Sequence, residues 1–213
     1  MPLVSGLISL SAIFLFSTFY RYANVEHEKG VLEGSLKRFK TDYIDLYQLH
    51  WPDRKANFFG KLGYDHEEEE DFIEIRSQLE ILSEHVNAGK IRYIGLSNET
   101  PWGLMKFISI AEQYNLPRVV SVQNPYSLLN RSYEVGMAEI SAREKCGLLA
   151  YSPLAFGMLT GKYDNAAKPD GARLTLFGDM FTRYTKANGI KYSERFNQLA
   201  KKNKLSPAQM SLA

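Results

Sequence analysis

Hydrophobic positions along this chain follow two regimes. Met1 to Tyr20 holds no charged side chain and is rich in Leu, Ile, Phe and Ser; from Arg21 onward charges are frequent. Past Gly30, short β-rich runs alternate with stretches of helical period. The run from Thr41 to His50 reads as a strand, with Ile44, Leu46 and Leu49 among its apolar members. Phe72, Ile75, Leu79, Leu82 and Val86 then recur at spacings of three and four, one face of an amphipathic helix, and Gly89 suits the left-handed residue that closes it. Ile91 to Asn98 is a second strand. Thr100 and Pro101 supply an N-cap and first-turn proline for a helix whose inward face is Leu104, Ile108 and Ala111. Val119 to Gln123 is a third strand, and a helix follows around Tyr133 to Lys145, with Met137 and Ile140 on one side. Leu148 to Tyr151 is a fourth strand. After a long loop, a helix near Tyr192 to Lys202 is expected to turn Phe196 and Leu199 inward, and Ser206-Pro207 opens one more.

Strands that alternate with helices imply parallel pairing through right-handed crossovers. Asn98 and Gln123 lie 25 residues apart, Gln123 and Tyr151 28 apart. A (β/α)8 barrel of about 250 residues allots roughly 31 to each unit, so the rhythm fits. A doubly wound sheet has a similar rhythm, but no Gly-x-Gly-x-x-Gly turn follows any strand. The expected fold class is α/β, part of a TIM (β/α)8 barrel, preceded by an apolar N-terminal segment.

In such a barrel the carboxyl ends of the strands meet at one face, where active sites sit. The residues ending the apolar runs are His50, Ser97 with Asn98, Gln123 and Tyr151. An imidazole, a hydroxyl, two carboxamides and an aromatic ring would then share one mouth, without a carboxylate pair or a thiolate. That set suits a planar ligand bearing an amide, stacked on the ring beside an imidazole able to polarise a carbonyl. Read singly, each residue also has a plain structural role: a satisfied surface histidine, a helix N-cap, a Tyr-Ser-Pro turn. On position alone the two readings stand level.

Composition removes several classes. Apolar content of 45% excludes wholesale disorder. A formal charge of +2, from 26 basic and 24 acidic side chains, lacks the basic excess of a dedicated nucleic-acid binder. One cysteine, Cys146, forms no internal disulfide and reads as a small buried residue; no Cys/His cluster has metal-ligand spacing, so no metal site is expected. Glu67 to Asp71 precede a helix, where acidic residues suit the positive end of its dipole or a solvated loop. Gly157 to Tyr163 superficially looks like a phosphate loop, but its Gly-Lys is followed by Tyr. His27, His66 and His85 have no spacing partners.

Residues 1–28 form the apolar N-terminal segment. Residues 1–20 are near the ~20 residues of a membrane helix, but lack the preceding basic region of a signal peptide, and serines, a threonine and a glycine make them a mediocre span. Membrane association through them is the less favoured expectation; a buried piece of a soluble fold, or sequence foreign to the domain, is preferred. The sequons at Asn98 and Asn130 argue the same way, because a glycan on Asn98 would occupy the strand-end site. The expected compartment is the cytoplasm, with plastid or membrane-anchored placement as alternatives.

Thr41-Asp-Tyr-Ile-Asp-Leu-Tyr-Gln-Leu-His-Trp-Pro52, Gly89-Lys-Ile-Arg-Tyr-Ile-Gly-Leu-Ser-Asn98, Val122-Gln-Asn-Pro-Tyr-Ser127, Ala150-Tyr-Ser-Pro-Leu154 and Gly157-Met-Leu-Thr-Gly-Lys162 resemble, in order, motifs of the aldo-keto reductases. The last points to bacterial and plant members with a long loop after the seventh strand. The resemblance covers residues 29–213 as a partial reductase domain holding strands four to seven of the family barrel. It implies NADPH (NADP) as cofactor and a small-molecule aldehyde or ketone as substrate. By the same resemblance His50 would be the catalytic-site histidine that orients the carbonyl. Ser97, Asn98 and Gln123 would hold the nicotinamide carboxamide and Tyr151 would stack on its ring. Ser152, Leu154, Gly157 and Leu159 would line the pyrophosphate path.

The family also carries an Asp-x-Ala-x-x-Tyr pattern and a Lys that tune and supply the proton donor; no such pattern stands before Thr41. The family's last strand and its motif for the adenosine 2′-phosphate would lie beyond Ala213. The chain is therefore expected to be truncated at both ends and weakly active or inactive, with open barrel edges prone to self-association or aggregation. The alternatives are a non-catalytic nicotinamide-binding or regulatory module, like potassium-channel β subunits, and a non-functional fragment. His50 favours the reductase lineage, since those subunits generally lack a histidine there.

Overall fold

The computed structural model describes residues 25–56, 63, 64, 66 and 73–213, with backbone alone for 25–29. The expectations for residues 1–20, for Phe72 and for Glu67 to Asp71 lie outside the described residues. In chain order the elements are helix α1 (Val25–Phe39), strand β1 (Ile44–Leu49), α2 (Ile75–Asn87), β2 (Ile91–Ser97), α3 (Pro101–Gln113), β3 (Val119–Pro125), α4 (Met137–Glu144), β4 (Gly147–Tyr151), then α5 (Arg173–Phe177), α6 (Ala187–Lys202) and α7 (Pro207–Leu212). The strands form one parallel four-stranded sheet in the order β1-β2-β3-β4. Each strand thus neighbours the next in sequence, as helical crossovers require. β1 and β2 pair in parallel with Ile44 opposite Ile91, Gln48 opposite Gly95 and Leu49 opposite Leu96.

The chain divides into two compact units. Among the described residues the first comprises 25–56, 66, 73–122 and 142–147. Its core joins Ile44 and Tyr47 of β1, Ile91, Ile94 and Leu96 of β2 and Val119 and Val122 of β3 to the buried faces of the helices. α2 buries Ile75, Leu79 and Leu82 as its spacing predicts, together with Ile81 and His85, and leaves Val86 half-buried. Gly89 closes that helix at φ 72°, the left-handed backbone expected of it. α3 begins as predicted: the Thr100 hydroxyl accepts from the Gly103 N–H at 3.2 Å, Pro101 fills the first turn, and Leu104, Ile108 and Ala111 are buried. Gly95 lies between two strands, where an added Cβ would sit 2.6 Å from Ser121 Oγ and 3.1 Å from Gln48 Cγ, so only glycine fits. α1 was not anticipated, although Leu32, Ser35 and Leu36 mark a buried face at helical spacing.

Among the described residues the second unit comprises 63, 64, 123–141 and 148–213. The single helix expected from Tyr133 to Lys145 is instead a 3-10 turn over Ser132–Val135, a non-helical Gly136, and α4. A core of Ala155, Met158, Leu159 and Tyr184 gathers partly buried Leu128, Leu129, Leu154, Tyr163 and Phe196 around it. α6 begins earlier than predicted and buries a different face. Ser193, Asn197 and Ala200 are buried, whereas Leu199, expected inward, is 51% exposed. Asn197 donates from Nδ2 to the Met158 carbonyl (3.0 Å) and to Asp164 Oδ1 (2.7 Å), and these bonds fix which side of the helix faces the core. α7 starts at Pro207 after Ser206, as expected. Among the described residues no helix is long and apolar enough to cross a membrane.

Candidate active site

His50 directly follows β1, and Ser97 ends β2. Parallel pairing with Leu49 opposite Leu96 sets these two carboxyl ends side by side. Asn98 then turns the chain out of the sheet through a left-handed backbone, φ 56°, a conformation asparagine tolerates better than most residues. That turn aims its carboxamide back across the strand ends: Nδ2 donates to the His50 backbone oxygen at 2.9 Å and to Ser97 Oγ at 3.2 Å. Three residues singled out from sequence are therefore one hydrogen-bonded cluster. Ser97 is buried, while Asn98 and His50 are half-buried, and the His50 ring lies 5.4 Å from that of Trp51 in a tilted arrangement. The first turn of α3 begins directly after this cluster, and its N–H groups bring partial positive charge there.

In the other unit, Gln123 lies in the last residues of β3 and Tyr151 is the last residue of β4. Both are half-buried, and the Tyr126 N–H donates to the Tyr151 carbonyl at 3.3 Å. The Arg183 guanidinium lies near the phenols of Tyr151 and Tyr184. Burial works against the Arg183 charge, but the neighbouring phenol oxygens outweigh it and hold its pKa above the ordinary arginine value.

The loop after Tyr151 is conformationally unusual. Ser152 has φ 53°, and Ala155, Phe156 and Gly157 follow one another at φ 49°, 57° and 96°. Non-glycine residues held in this region cost of order 1–3 kcal/mol each and persist where surrounding contacts over-determine them. Those contacts are present. Ala155 N donates to Ser152 O at 2.8 Å, Gly157 N to Leu154 O at 2.8 Å, and Thr160 Oγ1 to Gly157 O at 2.8 Å. Phe156 packs edge-on against Phe181 and Tyr184, and Lys201 pairs with Asp164 at 3.0 Å. The side chain of Leu159 is fully buried in the core beneath the loop, and Leu154 is half-buried at its start. An added Cβ on Gly157 would stand 2.6 Å from Lys162 Cε and 3.1 Å from its Nζ, so the glycine lets the lysine stem pack against the loop backbone and keeps its ammonium there.

Four residues that meet this site carry no local signal in the sequence. Lys162 closes a motif that drew attention to its glycines, and its ammonium beside Gly157 emerges only from the folded loop. Arg183 has no local signal tying it to Tyr151. Arg54 and Glu99, 45 residues apart, form an ion pair next to Asn98. Among the described residues no group of three or more His, Cys, Asp or Glu side chains is placed to hold a metal ion.

Strand-end polar residues, the Gly157 loop and the β-α alternation together invite comparison with known proteins. The family model for the aldo/keto reductase family matches residues 23–213. The chain belongs to the aldo/keto reductase family. Its alternation is that of a partial (β/α) barrel of that family, and its lineage is one of oxidoreductases. Among curated relatives, Protein tas of Escherichia coli (strain K12) is 54% identical over 185 residues, 87% of this chain and 53% of that protein. An aldo-keto reductase of Babesia bovis is 43% identical over 164 residues, 72% of this chain and 58% of that protein. Aldo-keto reductase yakc [NADP(+)] of Schizosaccharomyces pombe is 31% identical over 191 residues, 88% of this chain and 49% of that protein. The chain spans about half the length of the curated relatives it matches.

Proposed function

We propose that this chain binds NADPH and contributes the cofactor side, and the carbonyl-orienting histidine, of a reductase that converts small-molecule aldehydes or ketones to alcohols. The observation that carries the reading is the bonded cluster of His50, Ser97 and Asn98 at adjacent parallel strand ends, in a chain of this family. The name of the fission-yeast relative supports NADP as the form of the cofactor.

The residues fit the group. A nicotinamide carboxamide needs paired donors and acceptors, which Ser97 and Asn98 offer in one unit and Gln123 in the other. Its ring needs a flat partner, which Tyr151 offers. A pyrophosphate needs backbone beside positive charge, and the Gly157 backbone next to the Lys162 ammonium supports that, with Ser152 and Leu154 leading into the loop. Leu159 contributes from beneath, holding the loop by packing. When bound, NADPH supplies the hydride that reduces the carbonyl carbon. His50 donates a hydrogen bond to the carbonyl oxygen and polarises it, while the amide bonds and the Tyr151 ring fix which face of the nicotinamide meets the substrate.

General acid catalysis contributes typically 10²–10⁴ in rate, and no Asp-x-Ala-x-x-Tyr pattern stands before Thr41 in these 213 residues. The chain by itself is accordingly proposed to bind NADPH and to reduce carbonyls far more slowly than reductases that carry that pattern. That same feature favours, as second reading, a non-catalytic cofactor-binding module. The cytoplasm, where a lone reduced cysteine is ordinary, is the compartment this reading implies.

The test is titration of the purified chain with NADPH, followed by cofactor fluorescence, alongside NADPH oxidation with 4-nitrobenzaldehyde. Saturable binding that His50→Ala leaves intact, with slow turnover that His50→Ala abolishes, supports the reductase reading. Binding without any turnover supports the second reading, and absence of binding overturns both.

A further inference from the structure

Four residues beyond His50, Arg54 reaches from the loop after β1 to the junction between β2 and α3. Its Nη1 donates to Glu99 Oε2 at 3.1 Å and its Nη2 to Glu99 Oε1 at 2.5 Å, a bidentate fork. Nη2 also donates to Thr100 Oγ1 at 3.0 Å, and the guanidinium lies 4.9 Å from the centre of the Trp102 ring. Glu99 in turn accepts from the Thr100 N–H at 2.6 Å. The pair is withdrawn from water, with the Arg54 side chain 14% and the Glu99 side chain 2% exposed. Gly103 makes room for it: an added Cβ there would collide with both the Glu99 carboxylate and the Arg54 guanidinium.

Burying two charges gains little net stability, because desolvation offsets much of their attraction. A planar fork on a carboxylate instead yields a fixed geometry. Here it links the same two segments that the Asn98 to His50 hydrogen bond links, residues 50–54 and 98–102, at a second point. A single hydrogen bond leaves the loop free to pivot about it; a second, bidentate attachment removes that freedom.

We propose that Arg54 and Glu99 are positioning residues, which hold the His50 backbone against the Asn98 carboxamide and so set the spacing between the carbonyl-orienting imidazole and the amide-binding residues. The inference rests on the reading of His50 and Asn98 given under the proposed function. Its test therefore includes a measurement that needs no cofactor.

The imidazole resonances of the histidine-labelled, full 213-residue chain would be assigned with His50→Gln, then compared in Arg54→Lys and Glu99→Gln. Arg54→Lys keeps charge and stem but cannot form the fork; Glu99→Gln keeps shape but loses the charge. Asp45→Asn is the control, because it breaks an exposed 2.6 Å pair with Arg92 that also joins β1 to β2. Expected are displaced His50 resonances in both clamp variants, His85 unmoved, no change at His50 in the control, and NADPH affinity lowered about tenfold in the clamp variants alone. His50 resonances that stay in place, or that move equally in the control, overturn the proposal. So does loss of the folded amide spectrum in both clamp variants, which marks the pair as structural only. If the parent chain binds no NADPH, the cofactor reading fails, and the clamp stands or falls on the His50 resonances.

Discussion

Asn98 Nδ2 donates to the His50 carbonyl at 2.9 Å from a backbone in the left-handed region. Asn98→Gly keeps that backbone at no steric cost and removes the carboxamide. It should unfold in urea within about 1 kcal/mol of the parent, while NADPH affinity, read by fluorescence, falls at least about tenfold. Asn98→Ala should lose a further ~1 kcal/mol, because alanine resists positive φ.

Tyr151 combines a ring with a phenol that meets Arg183. Tyr151→Phe preserves the flat face and should bind NADPH within about threefold of the parent; Tyr151→Ala should weaken binding by about tenfold or more, the scale of one aromatic stacking contact. Equal losses in the two titrations would shift the role from ring to hydroxyl.

Burial pushes the Cys146 thiol up to about 11, against the attraction of Arg118. An unfolded thiol titrates near ~8.5, so above that pH the unfolded chain releases a proton that the folded chain keeps. Stability should therefore be level below about pH 8 and fall between about pH 8.5 and 11, with a slope of at most ~1.4 kcal/mol per pH unit from this group. Urea midpoints at pH 8 and 10, with Cys146→Ala as the flatter comparison, check the sign. A thiol reagent should label Cys146 only on unfolding.

Leu159 is fully buried among Ala155, Met158 and Tyr184, beneath the left-handed run. Leu159→Ala should cost about 2–5 kcal/mol in urea unfolding, and by loosening the support of Gly157 should also weaken NADPH binding. A loss of stability with cofactor affinity unchanged would separate that core from the Gly157 loop.

β1 and β4 are the outer strands of the sheet among the described residues. Unpaired strand edges invite pairing with a further strand. The chain is expected to sediment as species above its 24.3 kDa monomer mass, in proportions that rise with concentration. A single monomer boundary at all concentrations would remove the edges from consideration.

Much of the architecture was legible in the order of residues, because its signals act within one turn or one strand. Period-four spacing marked α2 and α3, Thr100 with Pro101 marked a helix start, Gly89 a helix end, and polar residues at strand ends gave His50, Ser97, Asn98, Gln123 and Tyr151. The inward face of α6 was not legible. Apolar spacing pointed to Phe196 and Leu199, but the partners of Asn197, Met158 and Asp164, lie more than thirty residues earlier in the chain. The left-handed run through Ala155 and Phe156 is hidden for a similar reason: neither residue favours that backbone, and besides local hydrogen bonds it is held by Phe181 and Tyr184, more than twenty residues later.

Local pattern thus decided the succession of strands and helices, their caps and the chemical types that stand at the strand ends. Folding decided which of those types touch: the Asn98 bond to His50, the fork of Arg54 on Glu99, the approach of Arg183 to Tyr151. Periodicity and capping are energies of neighbours in sequence, whereas each of these contacts joins residues tens of positions apart and exists only once the intervening loop has closed.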